Sequence, residues 1–194
     1  MEQRIAKVQR KTNETDIELE LNLDGVGRYE IDTGVGFLDH MLTHLSKHSK
    51  IDLTVKATGD LEVDAHHTVE DLGICLGECL LKALGDKKGI ARYGHSSLPM
   101  EDALANVSVD LSGRAACVYN AEYRTDKIGD FDVECIEEML RSFSGNGRFN
   151  LHVNVPYGTN SHHIAEAIFK GLGQALGLAV KVVGSDIPST KGTL

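Results

Sequence analysis

Hydrophobic and polar residues alternate along short stretches of the first half of the chain. From Ile17 to Leu23 every second residue is apolar, so residues 15–25 are predicted to form a half-buried strand that ends in a turn at Asp24-Gly25. Residues 27–31 and 51–57 are predicted as two further strands.

Two segments of this half have the periodicity of a helix. A glycine-punctuated turn at residues 32–36 opens a helix that carries His40, His44 and His48, four residues apart on one face. A second helix is predicted from about His66 to Leu84, followed by Gly85 as its C-terminal stop.

The same order of elements recurs in the second half. Val107, Val109 and Leu111 match Leu19, Leu21 and Leu23 at a constant offset of 88 residues, which indicates an internal duplication. The register places Asp102 opposite Glu14, and alignment of the first helix of each half places Glu138 opposite His40. The predicted elements of this half are strands at residues 105–113, 115–123 and 148–155 and helices at residues 131–143 and 162–178.

The pattern predicts an α+β fold. It is a tandem duplication of two small strand-strand-helix-strand-helix half-domains, each a sheet covered by helices on one face. We expect the first half-domain over residues 1–90, the second over residues 91–184, and a C-terminal tail over residues 185–194. The tail contains Ser189-Thr190-Lys191-Gly192, which is typical either of a frayed end or of a phosphate-binding turn.

Composition and net charge limit the classes of protein to which this chain can belong. The chain has 194 residues, 41% of them hydrophobic, which suits a packed globular protein. A formal net charge of −9 argues against a nucleic-acid partner and requires a local basic pocket for any anionic ligand. Neither a signal peptide nor an apolar run of about 18 residues is present, so we expect a cytoplasmic protein without a membrane partner. The four cysteines lack CxxC spacing and are expected to be reduced.

One histidine motif occurs twice. His66-His67 with Glu70, and His162-His163 with Glu166, each begin an apolar helix. In each copy the first histidine and the glutamate lie one turn apart on a common face, whereas the second histidine points about 100° away. The motif predicts metal ligation. Solvated surface histidines would explain a single copy, and a solvated face would also explain the stripe of His40, His44 and His48.

The sequence resembles the imidazoleglycerol-phosphate dehydratase family along essentially its whole length. The motifs that carry the resemblance are Arg10-Lys11-Thr12-Asn13-Glu14-Thr15, Thr33-Gly34-Val35-Gly36-Phe37-Leu38-Asp39-His40-Met41-Leu42, His66-His67-Thr68-Val69-Glu70-Asp71, Asp110-Leu111-Ser112-Gly113-Arg114, Asn160-Ser161-His162-His163 and Ser189-Thr190-Lys191-Gly192.

The resemblance implies a manganese-dependent hydro-lyase that converts D-erythro-imidazole glycerol phosphate to imidazole acetol phosphate in histidine biosynthesis. It also implies a homo-oligomer of 24 subunits with active sites between subunits. Since the resemblance begins near the N-terminus, we expect the dehydratase to be the only activity of the chain.

The duplication sorts the candidate ligands into two sets, so we expect two Mn²⁺ per chain. A half-turn that exchanges equivalent residues gives His40, His67, His162 and Glu166 for one ion, and Glu138, His163, His66 and Glu70 for the other. Glu138 is a departure, because several relatives that resemble this chain have a histidine ligand there. A carboxylate still ligates manganese and lowers the formal charge of that site by one.

The resemblance also suggests roles in catalysis and substrate binding. Glu14 lies outside both ligand sets and is the expected acid/base, with His44 or His48 as the next candidates. The predicted catalytic residues are Glu14, His48, Glu70 and Glu166. The predicted substrate-binding residues are Glu14, Arg92, Arg114, Lys170, Ser189, Thr190 and Lys191, of which the cationic side chains suit a phosphate.

Two other functions are compatible with the histidine motifs. A binuclear metallohydrolase uses similar ligands to activate water, and a non-catalytic metal-storage protein would use them as structural staples. The first should hydrolyse generic phosphoesters, and the second should turn over nothing.

Overall fold

The computed structural model describes residues 4–194 and divides them into two similar halves. The elements of the first half are Ile5–Lys11 (β1), Thr15–Asn22 (β2), Tyr29–Asp32 (β3), Gly36–Ser49 (α1), Asp52–Gly59 (β4) and His66–Leu84 (α2). The elements of the second half are Tyr93–Met100 (β5), Ala103–Asp110 (β6), Ala116–Asn120 (β7), Lys127–Ile128 (β8), Phe131–Asp132 (β9), Glu134–Gly147 (α3), Asn150–Tyr157 (β10) and Ser161–Ala179 (α4).

Each half contains a four-stranded sheet of the same topology. The strand orders are β1-β2-β4-β3 and β5-β6-β10-β7. In both sheets the last pair is parallel, β3 with β4 and β7 with β10, and the other pairs are antiparallel. The predicted α+β class and the tandem duplication are therefore confirmed.

The sequence offset between equivalent elements of the two halves increases by ten residues before α3, and this increase has a structural cause. Thr15 and Ala103, the first residues of β2 and β6, are 103 − 15 = 88 positions apart, whereas the starts of α1 and α3 are 134 − 36 = 98 apart. The β8–β9 hairpin lies between β7 and α3 and has no counterpart between β3 and α1. Its second strand, Phe131–Asp132, occupies the predicted start of the helix at residues 131–143, which begins only at Glu134.

The predicted pattern omitted the first strand of each half. In β1 only Val8 is buried, so this edge strand lacks the apolar alternation that identifies a half-buried strand. In β5 the buried positions are Gly94, Ser96 and Leu98, of which only the last is a large apolar residue. Close packing of α4 favours small residues there, since a Cβ on Gly94 would lie 1.8 Å from the Ala175 carbonyl oxygen.

The helices join the two halves. In the first half α2 packs on β1 and β2, and in the second half α4 packs on β5 and β6. Across the boundary α2 packs against α3 and α1 against α4, so the helical faces of the two sheets meet. The α2–α3 crossing is close at Gly77, where an added Cβ would lie 2.6 Å from both the Phe143 oxygen and the Gly147 nitrogen. This packing brings α1 beside the first turn of α4.

The structure adds two findings on the predicted class. None of the helices within residues 4–194 has the length and apolar character required to cross a membrane. All four cysteines are free, and burial raises the pKa of Cys75 to about 12 and of Cys79 to about 11, as expected for inert core thiols.

Candidate metal centre

The first turn of α4 is fixed by its N-cap. The Asn160 side-chain oxygen accepts hydrogen bonds from the backbone nitrogens of His162, at 2.9 Å, and His163, at 3.3 Å. The helix then places Glu166 one turn after His162, with its side chain only 8% exposed. His162 and Glu166 therefore point toward α1, and His163 points elsewhere.

Three predicted ligands converge where α1 meets α4. His40 Nε2 lies 2.7 Å from Glu166 Oε1, and His162 Nε2 lies 3.3 Å from the same oxygen. The candidate ligand atoms of all three residues lie within 4.8 Å of one another. We call His40, His162 and Glu166 the α1–α4 triad.

His44 and Lys170 complete the surroundings of Glu166. His44 Nε2 lies 3.2 Å from Glu166 Oε1 and 3.2 Å from His40 Nε2, and Lys170 Nζ donates to Glu166 Oε2 at 2.7 Å. Burial alone would raise the pKa of Glu166, but the hydrogen bonds from Lys170 and the imidazoles outweigh it and hold that pKa well below its usual range. Burial lowers the pKa of His44, against the opposing effect of the Glu166 carboxylate. His44 was not assigned to either ligand set, although its position four residues after His40 placed it on the same face.

The donor set of the triad fits a divalent metal ion. Two imidazole nitrogens and one ionised carboxylate oxygen are ligands that manganese, iron and zinc accept. The carboxylate is already held in its charged form, as ligation requires.

The second predicted set is spread over three helices. His66 and Glu70 lie on α2, Glu138 on α3 and His163 on α4. Among residues 4–194, no three ligand atoms of this set come within the 4.8 Å that defines the first group.

The second histidine of each motif contacts a carboxylate instead of the triad. His67 Nδ1 lies 3.0 Å from Asp60 Oδ2, and His163 Nδ1 lies 2.5 Å from Asp102 Oδ1. The Asp60 hydrogen bond raises the pKa of His67. His67 thus stays outside the triad within one chain.

Glu14 lies beside His67. Its Oε1 is 3.9 Å from His67 Nε2, and its side chain is 53% exposed. Glu14 is therefore close to a predicted ligand, and within residues 4–194 its side chain makes no hydrogen bond that would hold it in place.

Comparison with known proteins agrees with the architecture and with these motifs. The family model described as imidazoleglycerol-phosphate dehydratase matches residues 33–176. A protein of that name from Desulforudis audaxviator is 55% identical over 192 residues, covering 98% of both chains. One from Clostridium acetobutylicum is 52% identical over 197 residues, covering 100% of this chain and 99% of the relative.

The chain belongs to the imidazoleglycerol-phosphate dehydratase family.

Two solved structures of the family have the same fold. The dehydratase from Staphylococcus aureus superposes with a TM-score of 0.84 at 40% identity, covering 92% of this chain and 99% of that one. The Pyrococcus furiosus structure, a complex with (S)-C348, gives 0.84 at 38% identity, covering 96% of this chain and 100% of that one.

Two of the predicted phosphate-binding residues of this family member, Lys170 and Arg92, lie well apart. Lys170 lies at the triad. The Arg92 backbone nitrogen donates to the Ala179 oxygen at the end of α4, nine residues after Lys170. At 1.5 Å per residue these places are about 13 Å apart along the helix.

Arg92 connects β6 to the tail. Its Nε and Nη2 groups donate to the Asp110 carboxylate at 2.7 and 3.2 Å, and its Nη1 group donates to the Pro188 oxygen at 2.9 Å. Three of its five N–H donors are thereby used. Arg92 thus holds the segment that leads directly into Ser189, Thr190 and Lys191. Arg114 is exposed in the loop after β6.

His48 lies at the far end of the histidine stripe. Its ring centroid is 6.0 Å from that of His44, and a Cβ on Gly173 of α4 would lie 3.0 Å from its Cβ. Burial lowers the pKa of His48, with a further contribution from the positive charge of Lys170.

Proposed function

We propose that this chain is a metal-dependent dehydratase that converts D-erythro-imidazole glycerol phosphate to imidazole acetol phosphate in histidine biosynthesis. The observation that carries the proposal is the α1–α4 triad, which brings His40 of the first half together with His162 and Glu166 of the second histidine motif in a member of this family. Neither half could build that group alone, because His40 comes from α1 and the other two residues from α4.

Two Mn²⁺ ions per chain are the proposed cofactors. His40, His162 and Glu166 would hold one ion with His67, and Glu138, His66 and Glu70 would hold the other with His163. When bound, these ions would supply Lewis-acid chemistry that favours ionisation of the substrate imidazole, next to the carbon that loses its hydroxyl group.

Glu14 is the proposed acid/base. The reaction removes a hydrogen from one substrate carbon and a hydroxyl group from its neighbour, and the resulting enol becomes the ketone. A carboxylate can take the carbon-bound proton and return a proton to the departing oxygen. The exposure of Glu14 and its position beside His67 Nε2 support this role.

The substrate phosphate needs cationic partners on an acidic chain. Lys170, Arg114 and the Ser189-Thr190-Lys191 turn are the proposed contacts, with Arg92 both a candidate contact and the anchor of that turn. A phosphate group is much smaller than the distance of about 13 Å that separates Lys170 from the Arg92 end of α4. This separation supports sites shared between copies in a large homo-oligomer, for which we propose 24 subunits. A cytoplasmic location goes with this proposal.

The test is incubation of purified protein and Mn²⁺ with imidazole glycerol phosphate. We expect the ketone to appear, about two equivalents of manganese per chain, and loss of turnover on chelation. A generic phosphoester serves as the control substrate. Phosphate release from that control without ketone formation would favour a metallohydrolase, and no turnover of either substrate would favour metal storage.

A further inference from the structure

Two glycines identify equivalent positions at the ends of β4 and β10. A Cβ on Gly59 would lie 1.9 Å from Thr68 Oγ1, and a Cβ on Gly158 would lie 2.6 Å from Ile164 Cγ1. Thr68 and Ile164 each follow the first histidine of a motif by two residues, so both glycines abut the same place on the following helix. The bulge between Asn154 and Tyr157 explains why the offset here is 158 − 59 = 99.

The residues after these glycines are therefore equivalent, and they differ chemically. Asp60 follows Gly59, and Thr159 follows Gly158. A second equivalent pair stands just before β2 and β6, where Glu14 and Asp102 are 88 residues apart. Each half thus has two positions from which a carboxylate can reach the motif.

The two halves use opposite members of these pairs. In the first half Asp60 binds His67 Nδ1 at 3.0 Å. In the second half Asp102 binds His163 Nδ1 at 2.5 Å, and Thr159 donates to Asp102 Oδ2 from its nitrogen at 2.6 Å and its hydroxyl at 2.5 Å. Asp60 and Asp102 thus make the same contact with a histidine Nδ1 from positions that are not equivalent in the duplication.

The hydrogen bonds of Asp60 and Asp102 direct one carboxylate oxygen of each residue toward a histidine Nδ1. Within residues 4–194 the sole side-chain hydrogen bond of Asp60 is to His67, and its other oxygen is buried without a partner. Asp102 Oδ2 accepts three hydrogen bonds from Thr159 and Asn160, which fixes Oδ1 toward His163.

We infer that Asp60 and Asp102 are positioning residues that keep Nδ1 of His67 and His163 protonated and so present the Nε2 lone pairs to metal. The inference rests on the proposed function, in which both histidines are ligands. A carboxylate on the other ring nitrogen fixes the tautomer and orientation of a ligating histidine. Because Asp60 performs this task in the first half, Glu14 is left free on the Nε2 side of His67.

The test uses Asp102→Asn in protein labelled with ¹⁵N in the histidine rings. The three donors from Thr159 and Asn160 will hold the amide oxygen, so the amide NH₂ will face His163 Nδ1. His163 must then carry its proton on Nε2. The tautomers are measured by magic-angle-spinning NMR of sedimented, metal-stripped protein at a pH where the imidazoles are neutral, and His163→Gln identifies the signal.

Three comparisons complete the design. Asp60→Ala removes the carboxylate from His67 Nδ1, so the ring proton of His67 should no longer be confined to Nδ1. This measurement does not depend on the folding of the Asp102 variant. Thr159→Val removes one hydrogen bond to Asp102 and should leave the tautomer of His163 unchanged. Mn²⁺ titration followed by EPR should show a 10- to 100-fold loss of affinity at one site in each aspartate variant and none in Thr159→Val.

The outcomes separate this inference from the proposed reaction. Unchanged tautomers in both aspartate variants would overturn it, and so would changed tautomers with unchanged Mn²⁺ affinity, because the histidines would then not be ligands. Absence of ketone formation from the wild-type protein, with the tautomers and affinities as expected, would count against the reaction alone.

Discussion

Replacement of Glu14 by glutamine removes a proton-transfer group while leaving its structural contacts in place. The fold uses Glu14 through its backbone, since the nitrogen donates to Thr12 Oγ1 at 3.1 Å and the oxygen accepts from the Asp60 nitrogen at 3.1 Å. The side chain is 53% exposed, and its Oε1 lies 3.9 Å from His67 Nε2. An exposed pair of this kind is worth less than about 1 kcal/mol, so the free energy of unfolding should change by no more than that.

The expected effect on catalysis is larger. General acid–base catalysis typically contributes about 10²- to 10⁴-fold in rate. At 1.36 kcal/mol per factor of ten, this corresponds to about 3–5 kcal/mol of transition-state stabilisation. Glu14→Gln should therefore reduce kcat by about that factor while manganese content, particle size and unfolding midpoint stay near those of the wild type.

The assay is steady-state turnover of imidazole glycerol phosphate, with metal analysis and urea unfolding of the same preparations. Glu30→Gln, a charge removal on the exposed strand β3, is the matched control and should leave kcat unchanged. Near-normal kcat in Glu14→Gln would refute the acid/base role and pass it to His44 or His48. A low kcat accompanied by loss of metal would instead make Glu14 a ligand or a support for His67.

Two further predictions concern metal binding and helix packing. His162→Ala and His66→Ala should each lower the bound manganese, measured by elemental analysis, by about one equivalent per chain. The control variant His152→Ala, on an exposed sheet face, should not change the manganese content. Unchanged manganese content in both His162→Ala and His66→Ala would remove these histidines from the ligand sets. Gly77→Ala should destabilise the fold by about 1–3 kcal/mol through overpacking, since its Cβ would lie 2.6 Å from backbone atoms of α3. The favourable helix propensity of alanine offsets only about 1 kcal/mol. Gly145→Ala, where an added Cβ meets no atom within 4 Å, should be neutral or stabilising in urea unfolding, and equal effects at both glycines would contradict the packing argument.

The sequence predicted those parts of the fold in which burial follows a regular period. Strand β2 alternates between buried and exposed positions, and α2 and α4 have continuous buried faces. The omitted strand β5 is held by close contact with α4, which small residues permit without any apolar period. The β8–β9 hairpin has only two residues in each strand, too few for a period to be recognised.

The candidate site shows the same division between what a pattern reveals and what only the fold reveals. The i, i+4 spacing of His162 and Glu166 and the half-turn symmetry that added His40 together give the group that the structure assembles. The contact of Asp60 with His67 depends on the conformation of the loop after β4, and no spacing rule predicts it. The placement of His67 outside the triad likewise depends on that loop.

The departure at Glu138 makes the two halves electrostatically unequal. The α1–α4 triad has one carboxylate among imidazoles, with Lys170 Nζ 2.7 Å from its second oxygen, so its members attract one another. The equivalent residues on α2 and α3 include two carboxylates, Glu70 and Glu138, whose approach is opposed by like charge. Like-charge repulsion therefore opposes convergence of the second set when no metal is bound. A divalent cation between the two carboxylates would replace their mutual repulsion with attraction of both to the metal. Formation of the second proposed site should therefore be coupled more strongly to metal binding than formation of the first.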